Sequence, residues 1–358
     1  MTDVTGDVLI RREGRAGRIT LNRPKALNAL TLDMVREITP ALRAWAADPR
    51  VALVVLDGAG DRALCAGGDV LSLYNARTEG SQAARAFWRE EYALDAAIHR
   101  YPKPFVPVMH GIVMGGGIGL SAHARGGTRV VTEKSRIAFP ETTIGLVPDV
   151  GGTWLLSHAP AEAGTYLALM GAPMGAADAL YTGFADVFID NAKLPELIAG
   201  LCTETNPVPD ILRHFAGKAG ASELAGGLRA KIADCFRFDT VEQIREALVG
   251  DGGDWAAKTL ADLAVRSPTA LKTTLAALRR ARGLGSLEEA LNTEFVLCTN
   301  LHEDGEFIEG VRALLVDKDK APKWKPDTLE AVTPARVERQ FAPLAGGDAL
   351  GLKALVDH

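Results

Sequence analysis

Residues 51–56 form an unbroken apolar run (Val51, Ala52, Leu53, Val54, Val55, Leu56) that stops at Gly58 and Gly60. A short apolar run closed by glycines predicts a strand buried on both faces. Residues 8–12 and 18–21 predict the two strands of a hairpin, and Phe105–Met109, 129–131, 136–139 and 185–189 predict further strands. Met34, Val35, Ile38, Leu42 and Trp45 recur at helical spacing, which predicts a helix over 32–45. A longer helix is predicted over Gln82–His99 and a short one over 118–123. Strands alternating with helices imply an α/β core with parallel pairing. Around Pro195 and Pro209 the pattern changes. Beyond it no strand is predicted, and helical spacing covers 241–249, 255–265, 269–282, 287–298 and 307–316. The expectation is a core at 1–200 followed by a helical region at 201–358.

With 358 residues the chain exceeds one average domain, and its 47% apolar content suffices for a large core. The formal net charge is −5, and lysines and arginines are spread along the chain. Nucleic acid is therefore not expected as a partner, because phosphate binding needs a concentrated basic face. The four cysteines, Cys65, Cys202, Cys235 and Cys298, stand far apart with no CxxC pair. A reducing compartment fits that usage. The first ten residues carry acids early and lack the pattern of a secretory leader, so a cytoplasmic location is expected. Residues 105–124 hold no charged side chain, but Pro107, His110 and five glycines make strand, turn and helix a better reading than a membrane span.

Within that stretch Gly115, Gly116 and Gly117 leave backbone N–H groups open to a ligand at the start of the predicted helix. Two carboxylates follow eight residues apart, Glu141 after Pro140 and Asp149 after Pro148. Acids after prolines are usually helix caps or solvated loop charges. Here they lie among Ile137, Phe139, Ile144, Leu146 and Val147, and an apolar pocket raises carboxyl pKa values towards neutrality. N–H donors beside paired carboxylates suit acyl chemistry on a thioester. Glu91 falls in the apolar stripe of Phe87, Trp88, Leu94 and Ile98. A carboxylate buried there needs a partner, either an arginine such as Arg89 or a polar ligand. Residues 63–69, with Gly67, Gly68 and Asp69, could supply a second N–H, although such a stretch is commonly an ordinary tight turn. A dinucleotide-binding reading of Gly115–Gly119 fails because Leu120 stands where a further glycine is required. His110 is expected to be packed or hydrogen-bonded, and no Ser-His-Asp or metal-ligand spacing is present.

Together these segments resemble the enoyl-CoA hydratase/isomerase (crotonase) superfamily, through residues 18–30, 65–69, 110–120 and 141–152. Within it the chain looks most like the 3-hydroxyisobutyryl-CoA hydrolase branch, on residues 88–92, 144–146, 148–152, 267–269, 309–313, 317–319 and 322–324. The likeness covers nearly the whole chain and is weakest over 192–254. It implies a ββα-spiral core with a helical C-terminal region. It also implies an oxyanion hole from the N–H groups of Gly68 and Gly116, Glu141 and Asp149 as the catalytic acids, and Glu91 as a substrate contact. Lys25 and Ala26 match the loop that holds the coenzyme A nucleotide. No metal or redox cofactor is implied, since coenzyme A enters with the substrate.

One departure separates activities. Hydratases of the superfamily carry a second catalytic glutamate where this chain has Gly119. The resemblance therefore implies thioester hydrolysis of a β-hydroxyacyl-CoA, with 3-hydroxyisobutyryl-CoA in valine catabolism as the first candidate and Glu141 as nucleophile or general base. An enoyl-CoA hydratase or isomerase is the rival enzyme, and an acyl-CoA-binding scaffold the non-catalytic rival. Trimers are common in the superfamily, although the long helical C-terminus could replace that contact or fold over the chain's own site.

Overall fold

The computed structural model describes residues 6–79, 81–345 and 349–352. The first five residues, part of the stretch read for a leader, lie outside them. Strands β1 (Val8–Glu13) and β2 (Ala16–Leu21) form the expected antiparallel hairpin, with Val8 opposite Leu21. Then β2 pairs in parallel with β3 (Leu53–Gly58), which pairs with β5 (Phe105–Met109) beyond the short β4 (Ala63–Cys65). The sheet continues through β7 (Val130–Val131) to β9 (Val187–Phe188), giving the order β1-β2-β3-β5-β7-β9. A second parallel sheet of β4, β6 (Ile112–Met114) and β8 (Arg136–Ala138) lies beside it. The apolar stretch once weighed as a membrane span is thus strand β5, strand β6 and the helix Gly116–Ala122. Strand β6 was missed because three residues are too few to show alternation. No helix among the described residues is long and apolar enough to cross a membrane.

The helices at Leu32–Ala47 and Gln82–His99 stand where their spacing predicts. Residues 194–236 hold three helices that the pattern did not reveal, at Leu194–Thr203, Val208–Phe215 and Arg229–Phe236. Pro195 and Pro209 had marked that stretch as a break, yet both sit in a first helical turn, where the missing N–H costs nothing. Among the described residues no strand follows β9. One large hydrophobic cluster runs from Val8 through Phe139 and Phe236 to Phe307 and Leu350, so the C-terminal helices complete the core that the sheets begin. A smaller cluster, including Leu53, Val55, Leu197 and Ile211, fills the other face of the large sheet.

Candidate active site

The second sheet places the site. Strand β4 leads into Gly67 and Gly68, β6 into the glycines, and β8 into Glu141, so three parallel strand ends meet at one edge. There a cavity of about 360 Å³ is lined by Gly68, Gly116, Glu91, Glu141 and Asp149, with Phe87, Trp88 and Phe307 among its apolar walls. Five of the residues singled out from sequence are therefore together. Lys25 and Ala26 are not; they sit exposed on a short turn, Pro24–Ala26. That turn is nevertheless tied to the site loop, since Ala66 N–H donates to Leu27 O at 3.0 Å and Leu30 N–H to Gly67 O at 2.8 Å.

Among the described residues, the N–H groups of Gly68 and Gly116 donate to no protein acceptor, and the latter opens the helix Gly116–Ala122. A Cβ on Gly116 would come 3.4 Å from Gly68 N, so the two donors are neighbours. The same Cβ would collide with Glu91 Oε1, and a Cβ on Gly115 would lie 3.0 Å from Glu141 Oε1. The two carboxylates thus flank the donor pair. Glu91 Oε1 and Glu141 Oε2 are buried without a partner. Arg89 is not the partner of that Oε1: its Nη1 donates to the carbonyl of Leu350 at 2.9 Å and its guanidinium stacks on Phe295. Burial, and then the charge of Asp149, pushes both Glu141 and Glu91 well above the ordinary carboxyl range.

Asp149 belongs to a loop clamped from three directions. Tyr92 O–H donates to Asp149 Oδ2 at 2.6 Å. His123, held neutral because burial lowers its pKa to about 4, meets Val150 O through Nε2 at 2.6 Å. Glu294 accepts from Gly151 N–H at 2.6 Å, Thr153 N–H at 2.8 Å and Thr153 O–H at 2.5 Å. Val150 sits at φ 54°, a left-handed conformation costly for a β-branched residue and kept only because its neighbours enforce it. Burial raises Asp149 to about 6, with the Tyr92 and Cys298 hydrogen bonds pulling the other way. Burial likewise raises Glu294 to about 7.

Sequence reasoning missed Tyr92, Asp95 and Glu294. Asp95 was findable, because it lies one turn beyond Glu91 on the same buried stripe. Its carboxyl fills the space in front of Gly119, where a Cβ would meet both oxygens at 2.7 Å. Position 119 therefore has no room for a side chain while Asp95 stands. Glu294 had no local signal, being 143 residues from its partner Gly151. His110 is buried with Nε2 3.2 Å from Gly60 O, as expected of a packed histidine.

The C-terminal region closes the cavity. Helix Glu306–Val311 and the wider turn Arg312–Val316 bring Phe307, Leu314 and Leu315 to its wall. Gly145, at φ 74°, lies so close to the Glu306 carbonyl that a Cβ would collide, and Gly310 abuts the Ile144 backbone in the same way. Two short glycine motifs thus dock the strap directly onto the Glu141 turn. Arg312 knots the strap, holding Glu309 at 2.9 and 2.7 Å, Asp317 at 2.5 Å and Asp319 at 2.8 Å. Arg312→Gln is expected to loosen Leu314 and Leu315 and raise the KM for acyl-CoA roughly tenfold, with kcat changed less. Steady-state kinetics of the variant checks this, and an unchanged KM would refute the wall's role.

A family model for enoyl-CoA hydratase/isomerase matches residues 16–341. The chain belongs to that family. It is 43% identical to the 3-hydroxyisobutyryl-CoA hydrolase, mitochondrial, of Xenopus laevis, over 96% of this chain and 90% of that one. The human protein of the same name is 41% identical, over 97% and 91%. Among solved structures, one described as a carnitinyl-CoA dehydratase from Mycobacterium thermoresistibile is 44% identical, with TM-score 0.92 over 98% of this chain and 99% of that one. Another, described as an enoyl-CoA hydratase from Rhodobacter sphaeroides, is 44% identical, with TM-score 0.89 over 96% and 99%. The crotonase-type α/β fold expected from the motifs is the one observed.

Proposed function

We propose that the chain hydrolyses a β-hydroxyacyl-CoA thioester, 3-hydroxyisobutyryl-CoA first among candidates, to the free hydroxy acid and coenzyme A. The observation that carries this is the meeting of two unused N–H donors with Glu141 and Asp149 in one apolar cavity. The N–H groups of Gly68 and Gly116 polarise the thioester carbonyl and stabilise the oxyanion that forms. Glu141 either attacks the carbonyl carbon, giving a mixed anhydride that water then opens, or draws the proton from an attacking water. Asp149, held by Tyr92, positions water and passes protons, and the leaving thiolate departs as the thiol. Glu91 receives the acyl β-hydroxyl. Residues 1–200 supply these reacting groups and 201–358 close and brace the site. The exposed Lys25 and the Ala26 turn hold the nucleotide end of coenzyme A, and the chemistry calls on no resident metal or redox cofactor.

Hydration is the weaker reading because it needs two carboxylates handling water and the α-carbon together. Gly119 offers none, and Asp95, which fills the space a side chain there would need, is fully buried and off the cavity lining. The hydrolase names of the vertebrate relatives support the proposal, while the names of the two solved structures keep hydration as the alternative to be tested. The deciding experiment follows thiol release from 3-hydroxyisobutyryl-CoA alongside hydration of crotonyl-CoA. Rapid thiol release with little hydration is expected; hydration without thiol release would overturn the reading. Such an activity would serve valine catabolism. The cysteine usage fits a reducing compartment, for which we propose the cytoplasm, whereas the vertebrate relatives are named mitochondrial.

A further inference from the structure

Among the described residues, two buried carboxyl groups of one helix lack partners. Glu91 is 1% exposed with Oε1 unpartnered, and Asp95 is 0% exposed with both oxygens unpartnered. They stand one turn apart on the Gln82–His99 helix, the i,i+4 spacing that makes side chains neighbours. The opposing helix presents two glycines at i,i+3 spacing. Glu91 lies against Gly116 and Asp95 against Gly119, so both carboxyls occupy one glycine-lined seam between the helices. Only Glu91 reaches the cavity.

The other acids facing Asp95 are Asp149, from the clamped loop, and Glu294, from the Leu287–Glu303 helix; among the described residues no cation acts on it. Both of those acids already have donors, Tyr92 for Asp149 and Gly151 with Thr153 for Glu294. Glu91 and Asp95 are left to one another. Two buried carboxylates without a cation cannot both ionise, and one proton between them satisfies one donor and one acceptor at once.

We propose that Asp95 is a positioning residue that shares one proton with Glu91, so that Glu91 meets the substrate as an anion with its cavity-facing oxygen reserved for the acyl hydroxyl. Asp95, shut off from the cavity, carries the proton and donates to Glu91. The donated hydrogen bond is accepted by the buried Oε1 of Glu91 and leaves its other oxygen for the acyl hydroxyl. The inference rests on the hydroxyacyl-CoA reading above, and it adds that hydroxyl preference is set by a residue the substrate does not touch. Gly119 follows from it, since any side chain there would displace Asp95.

The test compares thiol release from 3-hydroxyisobutyryl-CoA and from isobutyryl-CoA, which lacks the hydroxyl, in wild type, Asp95→Asn and Asp95→Leu. Asparagine still donates to Glu91 but cannot ionise. Leucine removes the donor at similar volume, and a cooperative thermal melt of each variant establishes that the fold persists. In Asp95→Leu the kcat/KM ratio of the two substrates should fall at least about tenfold, almost wholly through the hydroxylated one. Asp95→Asn should keep the ratio within about threefold and hold it to higher pH than wild type, because its donor does not titrate. A purely structural role would lower both substrates alike. An undiminished preference in Asp95→Leu, or an equal loss in Asp95→Asn, would overturn the inference while leaving the hydrolase intact. Absence of thiol release from wild type would overturn both.

Discussion

Glu141→Gln is expected to lower kcat for thiol release by on the order of 10³-fold, while acyl-CoA affinity stays within about threefold. The amide keeps the size of the side chain and its place beside Gly115, so the cavity and its N–H donors persist. It can neither attack a carbonyl nor take a proton from water, which removes the step under either route. The large effect follows from geometry: no other carboxylate lies against Gly115, and Asp149 is engaged by Tyr92. Single-turnover thiol release and equilibrium binding of a thioester analogue separate the two quantities. A variant that turns over normally would remove Glu141 from the mechanism. In the wild type, label from heavy-oxygen water appearing in the Glu141 carboxyl after one turnover would select direct attack over general base catalysis.

Asp149→Asn is expected to lower the plateau of kcat by about 10²-fold and to move the acidic limb of the pH profile to lower pH. The sign follows from which charge acts on which. Burial raises Glu141 first, and the Asp149 charge raises it further, so Glu141 becomes an anion only at higher pH than an exposed glutamate. Removing the Asp149 charge removes that repulsion, and Glu141 ionises earlier as pH rises. Asp149 itself is held near 6, so in the wild type its anionic form is lost as pH falls through that value. Rates measured from pH 5 to 9 test both parts. A limb that stays in place in the variant would mean that the two acids do not feel one another.

These effects explain which parts of the site could be read from the chain. Gly116, Glu141 and Asp149 were legible because each sits in a short segment with its own local meaning: glycines opening a helix, and acids after prolines among apolar residues. Glu91 was legible as a charge on an apolar stripe, and the same reasoning reaches Asp95 one turn on. The glycine motifs at Gly145 and Gly310 were visible but had no physical meaning until their backbones were found against each other's neighbours, 144 against 310 and 145 against 306. Proline misled at 194–236, where its place in a first helical turn looks like a break when only the chain is considered.

The sequence by itself determined the α/β class, most of the longer elements and the residues proposed to react, because periodicity and glycine placement are local and survive without tertiary context. Tertiary structure alone decided how those groups are held. The Asp149 loop depends on Tyr92 and Glu294 from two helices and on His123 at the end of a third, and the cavity wall depends on a strap some 165 residues beyond Glu141. Such contacts leave no periodic trace, since a hydrogen-bonded carboxylate and a solvated one read alike until burial is known. Burial is a property of the whole packed chain, and it turns ordinary acids into groups that move protons near neutral pH.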